Sequence, residues 1–271
     1  MMDPIERHRS QAPGVLEAGD PDAIKRLYVD LGQFFEEAHG DDPEGIPVLS
    51  APETAPVVAA LLDDAPGLLL DAGCGPVSVV SILLGARPDR RVVVLDLGLG
   101  TVRLARAAAA RSGVDVMAVV ADVEDLPFPP GAFDAIVCQD TIEHLPDDAG
   151  AFAELGRVLA RRGRMVVATP NRNSLVVLRW KLRDRLRRRR LGDEAYFRSN
   201  SHLREYSWSE LQRLVPPELR IRRHAAVGWH GGGRRRLASR LVGLPGMHRL
   251  GQMVVLEVER VAGRGTGQPP A

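Results

Sequence analysis

The sequence of 271 residues has few cysteines, few aromatic residues and no long apolar run. Its two cysteines, Cys74 and Cys138, are too few for a disulfide framework, and both lie in or beside predicted buried strands, where a reduced thiol acts as a small hydrophobe. No stretch reaches the roughly 18 apolar residues of a transmembrane helix, and residues 1–14 lack the apolar core of a secretory signal. We therefore expect a cytoplasmic protein.

Charge is nearly balanced overall, at +1, but it is unevenly distributed along the chain. Residues 172–240 hold 19 Lys and Arg against 6 Asp and Glu, while the rest of the chain holds 17 against 29. This asymmetry predicts a face that meets an anionic partner, such as phosphate, a membrane surface or nucleic acid. Aromatic residues make up only 4% of the chain and form no base-stacking platform, which disfavours nucleic acid.

Hydrophobic periodicity predicts strands that alternate with helices through the middle of the chain. The predicted strands are 68–73, 90–97, 114–122, 133–140 and 164–171, and the helices between them are 77–86, 100–113 and 147–163. Upstream, we expect residues 1–19 to be loosely ordered and helices to form at 22–38 and 52–62. The alternation implies right-handed crossovers and a mainly parallel sheet covered by helices on both faces.

The loop after the first predicted strand is rich in glycine and reads DAGCGPV over residues 71–77. It lacks the Gly-Lys-Ser/Thr of a P-loop. Val77 stands where a dinucleotide-binding loop has its third glycine, and Pro76 removes a backbone N–H that a pyrophosphate needs. The loop therefore favours a cofactor with an ammonium and a carboxylate group rather than a phosphate. We expect Val77 to start the next helix and pack on the sheet.

Four motifs in consistent order resemble those of class I S-adenosylmethionine (SAM)-dependent methyltransferases. They are Asp71–Gly75, the acid Asp96 after the second strand, the segment ADVEDLPFPPGAFDAIVC at 121–138, and the helix and strand of HLPDD to RMVVATPN. The resemblance covers about residues 66–171. It implies an α/β Rossmann-like fold with a seven-stranded, mostly parallel sheet whose last strand is antiparallel, the final strands lying at 217–229 and 251–261.

The resemblance also implies SAM as the cofactor and assigns residues to it. The glycines of the loop would let the backbone approach the methionine part, Asp96 would bind the ribose hydroxyls, and Asp122 and Val123 would contact adenine. The predicted cofactor residues are Asp71, Ala72, Gly73, Gly75, Asp96, Leu97, Asp122, Val123 and Asp140.

The fourth strand ends in Gln-Asp-Thr-Ile, not the Asn-Pro-Pro-Tyr that adenine-N6 DNA methyltransferases need. The element Asp140-x-x-Glu143-His144 resembles the Glu-x-x-Glu-His of ubiquinone-pathway O-methyltransferases, which is associated with a divalent metal. Asp140, Glu143 and His144 are thus the predicted metal ligands, although Asp140 is shorter than the family's glutamate; such donors suit Mg, Mn or Zn. The alternative is that Glu143 and His144 begin a helix, with His144 hydrogen-bonded to the backbone.

A hydroxyl acceptor must lose a proton, so one base should lie near the methyl group. The candidates are His144 and His202, with His230 as a third. His202 lies in SHLREYSWSEL, residues 201–211, which resembles a histidine-containing segment of ubiquinone-type and glycan-modifying enzymes; the alternative is a histidine that only orders the loop. In the same segment, Ser207 and Glu210 form a predicted capping box that opens a helix.

Two basic segments, 175–191 and 234–250, carry leucines at helical spacing. Basic amphipathic helices are typical of membrane-surface or anionic-partner elements. The favoured interpretation of the first is a lid helix whose leucine stripe packs on the core. The run Arg187–Arg190 still fits an anionic, lipid-linked or acidic glycan acceptor.

These observations predict five segments: an N-terminal helical segment at 1–66, a SAM-binding core at 67–171, a substrate-lid insertion at 172–216, C-terminal strands with a Gly/Arg-rich linker at 217–262, and a disordered tail at 263–271. The predicted function is SAM-dependent O-methylation of a small-molecule or glycan-like acceptor. A further prediction is that the protein makes peripheral contact with the inner face of the membrane. The alternatives are an RNA methyltransferase that uses the arginine-rich face and a SAM-binding protein without catalysis.

Overall fold

The computed structural model describes residues 4–40, 42–44, 46, 53–186, 202–227 and 247–261. The strands are β1 Gly67–Ala72, β2 Arg90–Asp96, β3 Val116–Val120, β4 Phe133–Gln139, β5 Leu159–Pro170, β6 Leu219–Val227 and β7 Met253–Arg260. The helices are α1 Pro4–Ala18, α2 Pro21–His39, α3 Ala55–Leu61, α4 Val79–Gly85, α5 Leu99–Arg111, α6 Asp148–Val158, α7 Leu175–Leu186 and α8 Trp208–Leu214, with 3₁₀ helices at Ile142–His144 and Met247–Leu250. None of these described helices is long and apolar enough to span a bilayer.

The seven strands form one sheet in the order β3-β2-β1-β4-β5-β7-β6. Strands β1 to β5 pair in parallel, and β7 is antiparallel to both β5 and β6. This confirms the predicted fold class. The strand order reverses between β1 and β4, so their carboxyl ends border the crevice where ligands bind in open α/β sheets.

Helices cover both faces of the sheet, and each face has its own hydrophobic cluster. One cluster includes the fully buried Phe133, Phe152 and Leu155; the other includes Leu69 and Val92. Runs of Val, Ile and Leu on β1, β2 and β4 are typical of strands buried on both sides.

The expectation of loose order at residues 1–19 is wrong for most of that segment, because Pro4–Ala18 form α1. Ala12 and Leu16, one helical turn apart, pack against Ile24 and Leu27 of α2, and this shared apolar face stabilises both helices. Helix α2 in turn lies close to the start of α5: a Cβ added to Gly100 would come within 2.1 Å of a backbone oxygen of α2. The N-terminal helices are therefore part of the fold beside the β2–α5 loop.

Two predicted helix boundaries are also wrong. The helix predicted at 147–163 ends at Val158, because Leu159 is extended, fully buried and paired with Phe133 of β4. Val77 does not start α4, which is capped by Ser78. Instead Val77 packs beside a small cluster that includes Phe35 of α2. Tertiary burial of Leu159 decides the first boundary, and the side-chain cap of Ser78 decides the second.

The prediction that the leucine stripe of 175–191 packs on the core is wrong over the described part, α7. Leu178, Leu182 and Leu186 are 42%, 58% and 75% exposed, whereas Val177 is 2% exposed. The helix therefore meets the core through a different face. The run Arg187–Arg190, His230, most of 234–250 and the tail at 263–271 lie outside the described residues.

Candidate active site

The glycine-rich loop connects β1 to α4 with two residues in the left-handed region, Gly73 (φ 75°) and Gly75 (φ 62°). Asp71, just before it, is 4% exposed and accepts hydrogen bonds from Ser78 Oγ at 2.5 Å and Ser81 Oγ at 2.6 Å. Burial raises the pKa of Asp71, and the two serines oppose that shift. Asp71 thus joins the end of β1 to the first turn of α4. The two serines were not singled out by sequence, although the Ser-x-x-Ser spacing places both on one helix face.

Thr141 closes the other side of this loop. Its Oγ1 lies 3.3 Å from the carbonyl oxygen of Ala72, 3.2 Å from that of Gly73 and 3.0 Å from that of Gln139. The end of β4 is therefore held directly against the loop that follows β1. This contact brings the motif after β4 next to the predicted cofactor loop.

Replacing Gly73 by alanine should cost more stability than replacing Gly75. A Cβ on Gly73 would lie 2.3 Å from Thr141 Cγ2, while one on Gly75 would meet nothing within 4 Å. Both variants strain a left-handed residue by about 1–2 kcal/mol, and Gly73→Ala adds roughly 1–3 kcal/mol of overpacking. Urea unfolding of both variants measures the difference; equal losses would contradict the close packing against Thr141.

Asp96, at the carboxyl end of β2, lies beside the same loop. Its Oδ2 accepts from the backbone N–H of Gly75 at 3.1 Å, and its Oδ1 accepts from that of Gly98 at 3.3 Å. Burial, with the nearby charge of Asp71, raises the pKa of Asp96, and the backbone donors oppose the shift. Leu97, next in the chain, is half-buried. The structure therefore brings Asp71, Gly73, Gly75 and Asp96 to one end of β1 and β2.

Asp122 lies past the end of β3 and forms an ion pair with α2. Lys25 Nζ is 2.6 Å from Asp122 Oδ2 and 2.5 Å from Glu124 Oε2, and Asp122 Oδ1 accepts from the N–H of Glu124 at 2.9 Å. Lys25 was missed by sequence analysis because α2 is distant in the chain. Val123 is 4% exposed and packs in the core, so its predicted contact with adenine stays a prediction.

The end of β4 carries an unusual backbone conformation. Asp140 has φ 52°, the only positive φ outside glycine among the described residues. Its Oδ2 accepts from Gln139 Nε2 at 3.2 Å. Such strained residues cluster at functional sites, and this one separates β4 from the 3₁₀ helix that holds Glu143 and His144.

Three side chains converge beyond that turn: Glu143, His144 and His202, each offering a ligand atom within 4.8 Å of the others. The imidazole rings of the two histidines lie 5.0 Å apart, edge to face. Sequence analysis placed Glu143 and His144 together; the fold adds His202 to them, whereas Asp140 is not in this group. The 3₁₀ helix agrees with the alternative that Glu143 and His144 begin a helix. That alternative had the His144 side chain bonded to the backbone, whereas the His144 ring bonds another side chain.

Each member of this cluster is held by an outer partner. His144 Nδ1 lies 2.7 Å from Tyr28 Oη of α2, and His202 Nδ1 lies 3.0 Å from Glu205 Oε1. Glu143 is fully buried, and its Oε2 accepts from Thr169 Oγ1 at 2.8 Å. Its other oxygen, Oε1, has no hydrogen-bond partner among the described residues.

The cluster is electrostatically unusual. Burial, together with the charge of Asp140, raises the pKa of Glu143 to about 8. Burial lowers the pKa of His202, but its bond to Glu205 and the charge of Glu143 outweigh that and raise it overall. Strongly perturbed titratable groups cluster at functional sites.

The segment that carries His202 is bound firmly to the 3₁₀ helix and α6. The N–H of Leu203 donates to the carbonyl of Glu143 at 3.0 Å, and Arg204 pairs with Asp148 at 2.8 Å. Tyr206 is 5% exposed and donates to Asp148 Oδ2 at 2.7 Å. The capping box of Ser207 and Glu210 that opens α8 is present. His202 is thereby positioned on a rigid turn.

Residues 70–167 match the family model described as a methyltransferase domain. Ubiquinone biosynthesis O-methyltransferase of Xanthomonas oryzae pv. oryzae is 35% identical over 116 residues, which are 42% of this chain and 48% of that protein. The chain therefore contains a methyltransferase domain. It spans about half the length of the curated relatives it matches.

Solved structures resemble this methyltransferase domain in fold. Magnesium protoporphyrin IX methyltransferase of Synechocystis PCC 6803, solved with bound SAH, aligns with a TM-score of 0.55 at 20% identity, covering 78% of this chain and 83% of that one. The cyclase SpnF aligns with a TM-score of 0.56 at 18% identity, covering 78% of this chain and 81% of that one. Because one of the two is a cyclase, the fold does not by itself establish the reaction.

Proposed function

We propose that this chain binds SAM at the carboxyl ends of β1 and β2 and transfers its methyl group to an acceptor oxygen. The observation that carries the proposal is the cluster of Glu143, His144 and His202, which Thr141 links directly to the loop of Gly73. A proton-accepting group thus lies beside the predicted cofactor site. The matched relative named as an O-methyltransferase supports the choice of oxygen.

Each strand end would bind a different part of SAM. Gly73 and Gly75 leave the backbone open to the methionine part, and Asp96 still has lone pairs for the ribose hydroxyls after accepting from two backbone N–H groups. Asp122 would accept from the adenine amino group beside its ion pair with Lys25. Ala72, Leu97, Val123 and Asp140 line the same strand ends.

The chemical step needs alignment and one proton acceptor. The Glu205 carboxylate accepts from His202 Nδ1–H, which leaves Nε2 to take the proton of the acceptor hydroxyl. The oxygen then bonds to the SAM methyl carbon as the carbon–sulfur bond breaks, and the electron pair stays on sulfur to give neutral SAH. The sulfonium is already activated, so positioning supplies most of the rate.

The same cluster fits a divalent cation. Two imidazoles and a carboxylate, each oriented by an outer partner, are a typical set of ligands for a divalent metal ion. The Oε1 atom of buried Glu143, which has no hydrogen-bond partner among the described residues, also favours a bound cation. The holding residues would be Glu143, His144 and His202, with His202 in place of the predicted Asp140. With a cation bound, His202 Nε2 would be a ligand instead of the proton acceptor, and the cation would lower the pKa of a coordinated acceptor hydroxyl in its place. Calorimetric titration with Mg²⁺, Mn²⁺ and Zn²⁺ tests the site without turnover, with His39→Ala as the control for His202→Ala.

His202→Ala should lower kcat at least about 100-fold, because the proton acceptor is lost, while SAM affinity stays unchanged. SAH release is measured against phenols, hydroxylated sugars and lipid-linked glycans, with product mass confirming an added methyl group. His39→Ala is the matched control, since His39 lies about 16 Å along α2 from Tyr28. Bound SAM without SAH release from any acceptor would favour the non-catalytic alternative. Methylated RNA with steeply salt-dependent binding would favour the RNA alternative.

A further inference from the structure

Helix α7 carries an exposed leucine ridge, formed by Leu178, Leu182 and Leu186. These residues recur every fourth position and are 42%, 58% and 75% exposed. Other exposed large apolar residues in the described ranges, such as Leu83 on α4, are scattered, and single exposed apolar residues are ordinary on protein surfaces. Three in line on one helix are a continuous apolar surface.

The ridge is separate from the face by which α7 joins the fold. Val177, at 2% exposure, lies about 140° around the helix from Leu182. Ser174, just before the helix, is also 2% exposed, and its Oγ lies 3.3 Å from the N–H of Val177. The first turn therefore anchors α7, and the leucine ridge faces outward.

Basic residues flank the ridge on both sides. Helical geometry puts Arg179 and Arg183 along one side and Arg185 along the other, and all three are exposed. The helix has four basic residues and one acidic residue, and the sequence continues with Arg187–Arg190. An apolar ridge bordered by cations is complementary to a bilayer surface, where acyl chains lie beneath anionic headgroups.

We propose that the leucine ridge of α7 docks on an anionic lipid surface. A second copy of the chain is a poorer occupant, because the arginines of two ridges would repel each other and a stable dimer buries about 800 Å² per partner, more than three leucines on one helix offer. Docking does not depend on the proposed methyl transfer, since vesicle binding is measured without turnover.

Docking would also select the acceptor. Helix α7 begins at Leu175, six residues after Thr169, whose hydroxyl binds Glu143 in the catalytic cluster. A bilayer held against α7 would therefore lie near the predicted methyl-transfer site. This deepens the proposed function by favouring an acceptor that is membrane-dissolved or lipid-linked over a freely diffusing one.

Co-sedimentation of the full chain with vesicles tests the proposal. We expect binding to phosphatidylcholine–phosphatidylglycerol vesicles, weak binding to phosphatidylcholine alone, and release at high salt. Leu182→Ser with Leu186→Ser should lower the partition coefficient about tenfold or more, and Arg179→Glu with Arg183→Glu about fivefold or more per residue. Leu83→Ser and Arg106→Glu, changes at exposed positions on α4 and α5, are the matched controls and should bind as the parent does.

Two results would overturn the proposal. One is binding that is equal for both vesicle compositions or insensitive to the ridge variants. The other is a dimer in sedimentation velocity that the leucine variants dissociate, which would identify a second copy as the occupant. Circular dichroism of each variant checks the fold, which changes at these exposed positions should leave intact.

Discussion

Asp96→Ala should weaken SAM and SAH binding by about a hundredfold or more. A hydrogen bond to a charged group contributes roughly 1.5–3 kcal/mol, and the carboxylate would make two to the ribose hydroxyls. The loss has a second part, because Asp96 also accepts from the N–H groups of Gly75 and Gly98. Without it, the glycine loop and the start of α5 lose their common acceptor.

Isothermal titration calorimetry with SAH measures this effect directly. Asp89→Ala is the matched control: Asp89 precedes β2 at the opposite end of the sheet and is exposed, so its removal should leave affinity unchanged. Thermal unfolding of Asp96→Ala separates lost binding from lost structure. Wild-type affinity in a folded Asp96→Ala protein would refute the cofactor assignment.

Glu257→Ala should destabilise the fold by about 3–5 kcal/mol, the cost of leaving a buried charge without its partner. Glu257 on β7 is fully buried and contacts Arg164 of β5 at 3.3 Å, and the Arg164 side chain is only 8% exposed. Arg223 of β6 binds the other carboxylate oxygen. One carboxylate thus joins three strands, and its loss is a large part of a typical total stability of about 5–15 kcal/mol.

Glu259→Ala provides the control on the same strand. Glu259 pairs with the exposed Arg220, and such surface pairs contribute about 1 kcal/mol or less. Chemical denaturation of both variants should therefore separate them clearly. Since Glu257 pairs with Val166 in the middle of β5 and binds Arg164 and Arg223 rather than residues of the proposed SAM site, SAH affinity of the folded Glu257→Ala protein should stay unchanged. Equal losses in both variants would mean that Asp64, the other acidic partner of Arg164, compensates for Glu257.

Local pattern was sufficient for most of the fold. Continuous apolar runs between the predicted helices placed the strands of the sheet to within a few residues. Such runs are informative because strands buried on both faces consist largely of Val, Ile and Leu. Local pattern failed where burial overrides propensity. The helical pattern continues past Val158, yet Leu159 turns into β5 because it fills the core beside Phe133.

Some residues of the candidate site were likewise predictable from the local sequence, and others were not. Asp71 and Asp96 were predictable, because parallel strands place their carboxyl ends at one edge of the sheet. Tyr28 and Lys25 were not, because both lie on α2, which is remote in sequence from the strand ends, and only packing brings them to the site. The sequence correctly predicted that the leucines of α7 share one face of the helix. Whether that face points to the core or outward depends on which residue anchors the helix, and that residue is Val177.

The amino-acid sequence alone determined the α/β class and the order of strands and helices, since these follow from local periodicity, and the resemblance of its motifs to those of methyltransferases marked the acids at the strand ends. Only the tertiary structure decided that His202 joins Glu143 and His144, that Asp140 stays outside this group, and that three leucines of α7 face outward. The physical reason is that these facts concern pairs of residues far apart in the chain. Their proximity is set by which apolar faces the core buries, and a local pattern does not contain that information.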